Sequence, residues 1–159
     1  MTSRLPTRTL ALLAATLALP IAAHAQGTHF RAYLSSTGSD ANACTRDAPC
    51  RLLPAALNAV ADGGEVWMLD SANYNIGPVT LDRGVTIVAL PSVKGSLVAV
   101  PGDAPRVVAI ATSAPVVFRN VDFRPLPGAE TGTVFTPHPS GALTLIDCHA
   151  SDFLVDAGP

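Results

Sequence analysis

Short runs of alternating apolar and polar residues fill the chain from Glu65 onward, and Gly or Pro interrupts several of them. Alternation with a period of two is typical of β-strands, because successive side chains of an extended chain point to opposite faces. The runs are EVWMLD, GPVTLD, GVTIVAL, SLVAV, RVVAIAT, PVVFRNVDF, GTVFTP and ALTLIDCHA. This pattern predicts a β-rich body made of short strands.

Three of these runs repeat one another at intervals of about 30 residues, a spacing typical of solenoid repeats. When they are aligned, two apolar columns result: Val85, Val116 and Leu143 in the first, and Ile87, Phe118 and Leu145 in the second. The residues between the columns should face outward, since neighbours alternate. We therefore predict stacked coils whose strands, about 4.8 Å apart, pile the apolar side chains into ladders.

The same alignment predicts where the coils turn. One turn position is shared by the three runs: Ala89, Asn120 and Asp147. Asn and Asp tolerate the left-handed backbone angles that tight turns require. The next inward column is expected one residue later: Leu90, Val121 and Cys148.

A helical pattern precedes the strands, in CRLLPAALNAVADGG. Its apolar residues recur at a spacing that places them on one face of a helix. They are Leu52, Leu53, Ala56, Leu57 and Val60. Pro54 suits the first helical turn and Gly63-Gly64 suits a C-terminal stop. We predict one amphipathic helix over residues 52–61, preceded by a strand in FRAYLSS.

The N-terminus predicts export. Arg4 and Arg8 precede the apolar run TLALLAATLALPIAA, which ends at Ala23-His24-Ala25. A basic region, a short apolar region and an A-x-A site together are typical of a secretory signal peptide. We predict that residues 1–25 are removed and that the protein is periplasmic or extracellular. The run is too short for a transmembrane helix, and no later segment is long enough to span a bilayer.

The composition of the chain argues against nucleic acid as a partner. The net charge is −2 and 14% of the residues are charged, so the chain has no basic stripe of the kind that binds nucleic acid. Gly and Pro number 12 and 14, and aromatics make up 5%. This composition fits short strands separated by turns better than a helical bundle.

Cys44 and Cys50 lie in the polar stretch STGSDANACTRDAPCR. Export favours disulfides, and the spacing C-x5-C differs from that of thioredoxin-type and zinc motifs. We predict a structural disulfide rather than a metal or redox site; closing so small a loop contributes roughly 2 kcal/mol to stability. Cys148 is left without a partner.

Two segments, YLSSTGSDANACTRDAPCRLLPAAL and GGEVWMLDSANYNIGPVTLDRGVTIVA, resemble the first part of exported bacterial proteins of the right-handed parallel β-helix superfamily, which includes the pectate lyases. The resemblance implies an all-β fold: a short right-handed parallel β-helix of about four coils with one N-terminal capping α-helix. Residues 26–63 would form the strand, disulfide loop and capping helix, and residues 64–159 the coils. The architecture serves lyases, hydrolases, adhesins and scaffolds.

Two pairs of residues are candidates for chemistry. Asp122 aligns with His149 on neighbouring coils, and such a pair can act as a base and its orienting partner or be an ordinary surface ion pair. Arg119 and Arg124 are expected near the same face, where they could bind an acidic sugar or be solvated charges. Enzymes of the superfamily place carboxylates on one outer sheet face, but no tight acidic group stands at matching positions here.

The disulfide loop offers three oxygen-bearing side chains, those of Asp40, Asn42 and Asp47. Such oxygens suit calcium, but Asx-type turns explain these residues equally well. No cofactor is predicted, and calcium in this loop is the alternative to Asx-type turns. Trp67 and Tyr74 could stack on sugar rings.

These patterns favour an exported, non-catalytic scaffold or a protein that binds polysaccharide or another envelope component. The alternative is a pectate-lyase-like polysaccharide lyase or a glycoside hydrolase. The end of the chain, FLVDAGP, carries no capping pattern, and solenoids need both ends covered. We therefore expect either that the sequence is truncated or that the last coil self-associates or meets another chain.

Overall fold

We describe residues 27–154 in a computed structural model of the chain. The predicted signal peptide and residues 155–159 lie outside this range. The helix is α1 (Leu53–Ala59), and no helix of the described range is long and apolar enough to cross a membrane. The strands are β1 (His29–Leu34), β2 (Val60–Met68), β3 (Val79–Leu81), β4 (Val85–Ala89), β5 (Gly95–Ala99), β6 (Arg106–Ile110), β7 (Val116–Arg119), β8 (Val121–Pro125), β9 (Thr133–Thr136), β10 (Leu143–Ile146) and β11 (His149–Ala150).

The strands form three parallel sheets that run along one axis. The five-stranded sheet has the order β1-β2-β4-β7-β10, and the two smaller sheets have the orders β5-β8-β11 and β3-β6-β9. Each strand pairs with strands one turn earlier or later, so the chain is a parallel β-solenoid of about five turns. The predicted all-β solenoid with a single short helix is confirmed. The additional turn comes from β1, which was predicted as a strand that precedes the coils and which joins the same sheet.

The two predicted columns are confirmed. Val116 pairs with both Val85 and Leu143, and Phe118 pairs with both Ile87 and Leu145. Phe118 is fully buried and its ring lies 5.3 Å from that of Phe123, on the strand that follows in the same turn. Stacking apolar side chains in this way removes them from water, which is the main stabilising contribution of a solenoid core.

The turn position is confirmed for Asn120 and Asp147, whose φ angles are 55° and 52°. The Asn120 amide also donates a 3.0 Å hydrogen bond to the carbonyl of Leu90 on the preceding turn. Ala89 differs, because it is the last residue of β4 and its turn comes later, at Ser92 with φ 68°. An Ala side chain gains no local hydrogen bond from a left-handed conformation, whereas an Asn side chain does.

The predicted column of Leu90, Val121 and Cys148 is wrong at its first member. Gly95, not Leu90, pairs with Val121, because residues 90–94 form a longer turn. A Cβ at position 95 would collide with the Met68 side chain and lie 3.1 Å from the Cβ of Ala89. Gly fits here beside the Met68 side chain, whereas a larger residue would have to displace it.

Helix α1 is shorter than predicted and ends differently. It begins near Pro54, as expected, but ends at Ala59, and Val60 is extended with ψ 141°. Val60 instead starts β2 and pairs with His29 of β1. Gly63-Gly64 therefore lie inside β2, because burial and strand pairing of Val60 override the helical periodicity.

The helix covers the first turn of the solenoid. It packs against β1, β2 and β3, and it buries Leu53, Ala56 and Leu57. The backbone N–H of Leu53 donates to the carbonyl of Tyr74 at 2.8 Å, so the segment that enters the helix lies over the next turn. This placement agrees with the predicted capping role.

The disulfide loop covers the outer edge of β1. Cys44 and Cys50 are bonded, as predicted. The N–H of Tyr33 donates to the carbonyl of Cys44 at 2.8 Å, the N–H of Cys50 donates to the carbonyl of Tyr33 at 2.9 Å, and the N–H of Ser35 donates to the carbonyl of Cys50 at 3.0 Å. The loop thus satisfies backbone groups that an edge strand would otherwise leave unpaired.

Candidate functional site

A groove of about 250 Å³ lies on the outer face of the five-stranded sheet, beside its first two strands. Strand alternation places residues of β1 and β2 on this face, and the register brings Tyr33 opposite Trp67. The lining side chains are those of Arg31, Tyr33, Arg46, Trp67, Leu69 and Leu90. The groove therefore combines apolar and aromatic walls with two cationic groups.

The Trp67 indole is held from two directions. The Arg31 guanidinium lies 4.1 Å from the centre of the indole ring, in the geometry of a cation–π contact. The indole N–H donates to a Glu65 carboxylate oxygen at 2.9 Å, and Arg31 Nε donates to the same oxygen at 2.8 Å. This hydrogen bond also raises the pKa of Arg31. These contacts orient the indole in the structure without a ligand.

Arg46 supplies the other charge of the groove. It belongs to the disulfide loop and is exposed, and within residues 27–154 it has no hydrogen bond or ion pair. Arg31, in contrast, is neutralised by Glu65 at 2.6 Å. The groove therefore presents one uncompensated positive charge at its rim.

Of this groove the sequence reasoning singled out only Trp67, as a residue that could stack on a sugar; the groove itself and its two arginines were missed, although part of their signal was present. FRAYL and EVWML alternate so that Arg31 and Tyr33, and likewise Glu65 and Trp67, share the outward face. Pairing these two strands would have brought the four side chains together. Arg46 carries no such signal, because its position depends on the path of the loop.

Asp122 and His149 lie opposite each other on β8 and β11, as predicted. The Asp122 carboxylate forms an ion pair with Arg124 at 3.4 Å, and no hydrogen bond or ion pair joins it to His149 in the described chain. Ser96 stands opposite Asp122 on its other side. In this row the Asp122 carboxylate lies between the Ser96 hydroxyl and the His149 imidazole. A Ser–His–Asp triad requires the imidazole in the middle, so these three residues are not arranged as such a triad.

The two arginines that were expected near one face are separated. Arg119 ends β7 in the five-stranded sheet, and Arg124 lies on β8 in the β5-β8-β11 sheet. The left-handed turn at Asn120 changes the chain direction between the two strands. Arg119 pairs with Val88 on β4, and Val88 pairs with Trp67 on β2. Arg119 therefore lies in the same cross-strand row as Trp67, two strands away from it.

The three oxygen-bearing residues of the loop have separate surroundings. Asp40 accepts the backbone N–H groups of Arg51 and Leu52 at 2.9 and 2.7 Å, at the start of α1. The Asn42 amide donates to the carbonyl of Pro49, and Asp47 is exposed. No group of three or more His, Cys, Asp or Glu side chains in residues 27–154 is placed to hold a metal ion.

Tyr74 cannot stack on a sugar, because it is fully buried. Its hydroxyl donates to Asp70, which also accepts hydrogen bonds from Ser35 and Ser36 of the turn after β1. The pKa of Tyr74 is raised, mainly by burial and secondly by the hydrogen bond to Asp70. Burial alone would raise the pKa of Asp70, but its hydrogen bonds outweigh burial and the pKa is lowered. This network joins the first two turns of the solenoid.

Comparison with known proteins gives no relative. No protein-family model, curated protein or solved structure matches this chain.

Proposed function

We propose that this protein is exported to the periplasm or the medium and acts without catalysis, binding a polysaccharide or another envelope component in the groove of Trp67. The observation that carries the proposal is the oriented indole beside an uncompensated charge, Arg46. The predicted signal peptide and the disulfide support the compartment.

The chemistry of the groove suits a sugar. Sugar rings have apolar C–H faces, which pack on aromatic and aliphatic side chains, and polar edges, which need placed hydrogen-bonding groups. Tyr33 and Trp67 lie with ring centres 6.5 Å apart and supply the first requirement, while Arg46 supplies the second. The groove is small, at about 250 Å³, so we expect it to contact a short stretch of a longer chain.

The test is a panel of acidic and neutral polysaccharides, with and without calcium, scored by affinity electrophoresis. We expect Trp67→Ala to weaken retention by roughly tenfold, equivalent to about 1.4 kcal/mol. Val117→Ala is the matched control, because Val117 faces outward on the same sheet but outside the groove. Unchanged retention of Trp67→Ala, or no retention of the wild-type protein by any polysaccharide, would contradict the proposal.

The alternative is a pectate-lyase-like lyase or a glycoside hydrolase, and its support is the apposition of Asp122 and His149. The same panel tests it through the appearance of unsaturated or reducing ends. Product formation that Asp122→Asn and His149→Ala each abolish would replace the binding proposal with the enzymatic one.

A further inference from the structure

The last turn of the solenoid exposes part of the core. In the second apolar column Ile87 and Phe118 are fully buried, whereas Leu145 is 47% exposed. The difference arises because β10 has a neighbouring strand on one side only within residues 27–154. The opposite edge of the same sheet, at β1, is covered by the disulfide loop.

The backbone of β10 has groups that point to the open edge. The carbonyls of Ala142 and Ile146 accept hydrogen bonds from Val116 and Asn120, both in the preceding turn. The N–H and C=O of one strand residue point to the same side, and the side alternates along the strand. Leu143 and Leu145 therefore direct their N–H and C=O groups away from β7, toward the open edge.

We propose that this edge binds a second copy of the chain, with the two β10 strands antiparallel around a twofold axis at Thr144. In that register Leu143 lies opposite the partner's Leu145 and exchanges two hydrogen bonds with it, and the symmetric pair does the same. All four open backbone groups are then satisfied. Leucine side chains face each other in line with the apolar columns, and the two threonines face each other outside, a favourable cross-strand pair.

The strand β10 carries no charge that would oppose self-pairing. Its residues, LTLI, are uncharged, so no like charges meet across the axis. Head-to-tail stacking is disfavoured, because the edge of β1 is already hydrogen-bonded to the disulfide loop. The association therefore closes as a dimer rather than continuing as a fibre.

The register makes a specific prediction for cross-linking. Directly opposite residues of a non-hydrogen-bonded antiparallel pair have Cα atoms about 4.5 Å apart, within the range that a disulfide spans. In a Cys148→Ser background, Thr144→Cys should form a covalent dimer on mild oxidation. Thr86→Cys, at the same outward position on β4 inside the sheet, should stay monomeric.

Sedimentation of the purified wild-type protein tests the association independently. We expect a dimer, and we expect Leu145→Lys to weaken it at least tenfold. A monomer, a larger assembly, or a Thr144→Cys variant that cross-links no faster than Thr86→Cys would overturn the proposal. These measurements need no polysaccharide, so their outcome is separate from that of the proposed function.

Discussion

Removing the disulfide gives the sharpest test of how the first turn is held. Cys44→Ser with Cys50→Ser leaves the length of the loop unchanged but lets it move away from β1. The loop makes two backbone hydrogen bonds with Tyr33 of this strand and a third with Ser35, the residue that follows it. If the loop detaches, β1 becomes an open edge and Arg46 leaves the groove.

The magnitude follows from two contributions. The bond joins residues six apart, and closing a loop of that size contributes about 2 kcal/mol through chain entropy. Each backbone hydrogen bond contributes about 1 kcal/mol net. We expect the loop to detach, so the double variant should lose about 5 kcal/mol of unfolding free energy. A loss of only about 2 kcal/mol would mean that the loop stays docked.

Urea denaturation measures the total loss, and amide hydrogen exchange identifies its source. The N–H groups of Tyr33 and Ser35 donate to the loop, whereas that of Leu69 donates to β1. In the double variant we expect faster exchange at Tyr33 and Ser35 and little change at Leu69. Cys148→Ser is the control for a Cys-to-Ser substitution that breaks no disulfide, since Cys148 is a free cysteine.

Two results would refute this reasoning. Unchanged exchange at Tyr33 and Ser35 would show that the loop docks without the disulfide. Equal acceleration at Tyr33, Ser35 and Leu69 would show that the loop and the first turns open as one unit.

Two further predictions concern the core and its polar network. Asp70→Asn should lower the unfolding free energy at pH 7 by about 1–3 kcal/mol, because it removes a charged acceptor. Because folding lowers the pKa of Asp70, the carboxylate stabilises the protein at pH values above its ordinary pKa near 3.9, and this stabilisation is lost as the pH falls through the folded pKa. The unfolding free energies of the wild type and Asp70→Asn, measured with urea, should therefore converge below about pH 4. A difference that stays constant with pH would contradict the assignment. Gly95→Ala should lower the unfolding free energy by about 1–3 kcal/mol, because the added methyl group overpacks against Met68. In a double-mutant cycle, Met68→Ala should relieve part of this loss. Strictly additive effects of the two substitutions would show that the two residues do not collide.

The local pattern of the sequence was sufficient for the architecture. Alternation and the repeat placed Val85, Val116 and Leu143 in one column, and the structure pairs these residues in that register. Such predictions succeed because strand alternation and the burial of apolar residues act locally and recur in every turn. The disulfide could also be predicted, since the expected export and the C-x5-C spacing together disfavour a metal or redox role for the two cysteines.

The exceptions share a physical cause, which is competition from distant residues. Val60 fits the helical periodicity, but pairing with His29 and burial in the core make it extended. Leu90 fits the repeat, but Gly95 takes its place opposite Val121, at a position where Met68 fills the inward volume. Neither competitor can be read from the neighbouring residues.

The candidate site depended still more on tertiary structure. Alternation in the sequence places Arg31 and Tyr33 on one face of their strand and Glu65 and Trp67 on one face of theirs, but it did not decide which face is outward. Only the tertiary structure decided that they meet, because strand order and register bring residues more than thirty positions apart into contact. The location of Arg46 was likewise decided by the fold, because the backbone hydrogen bonds of the disulfide loop to β1 carry this side chain to the groove.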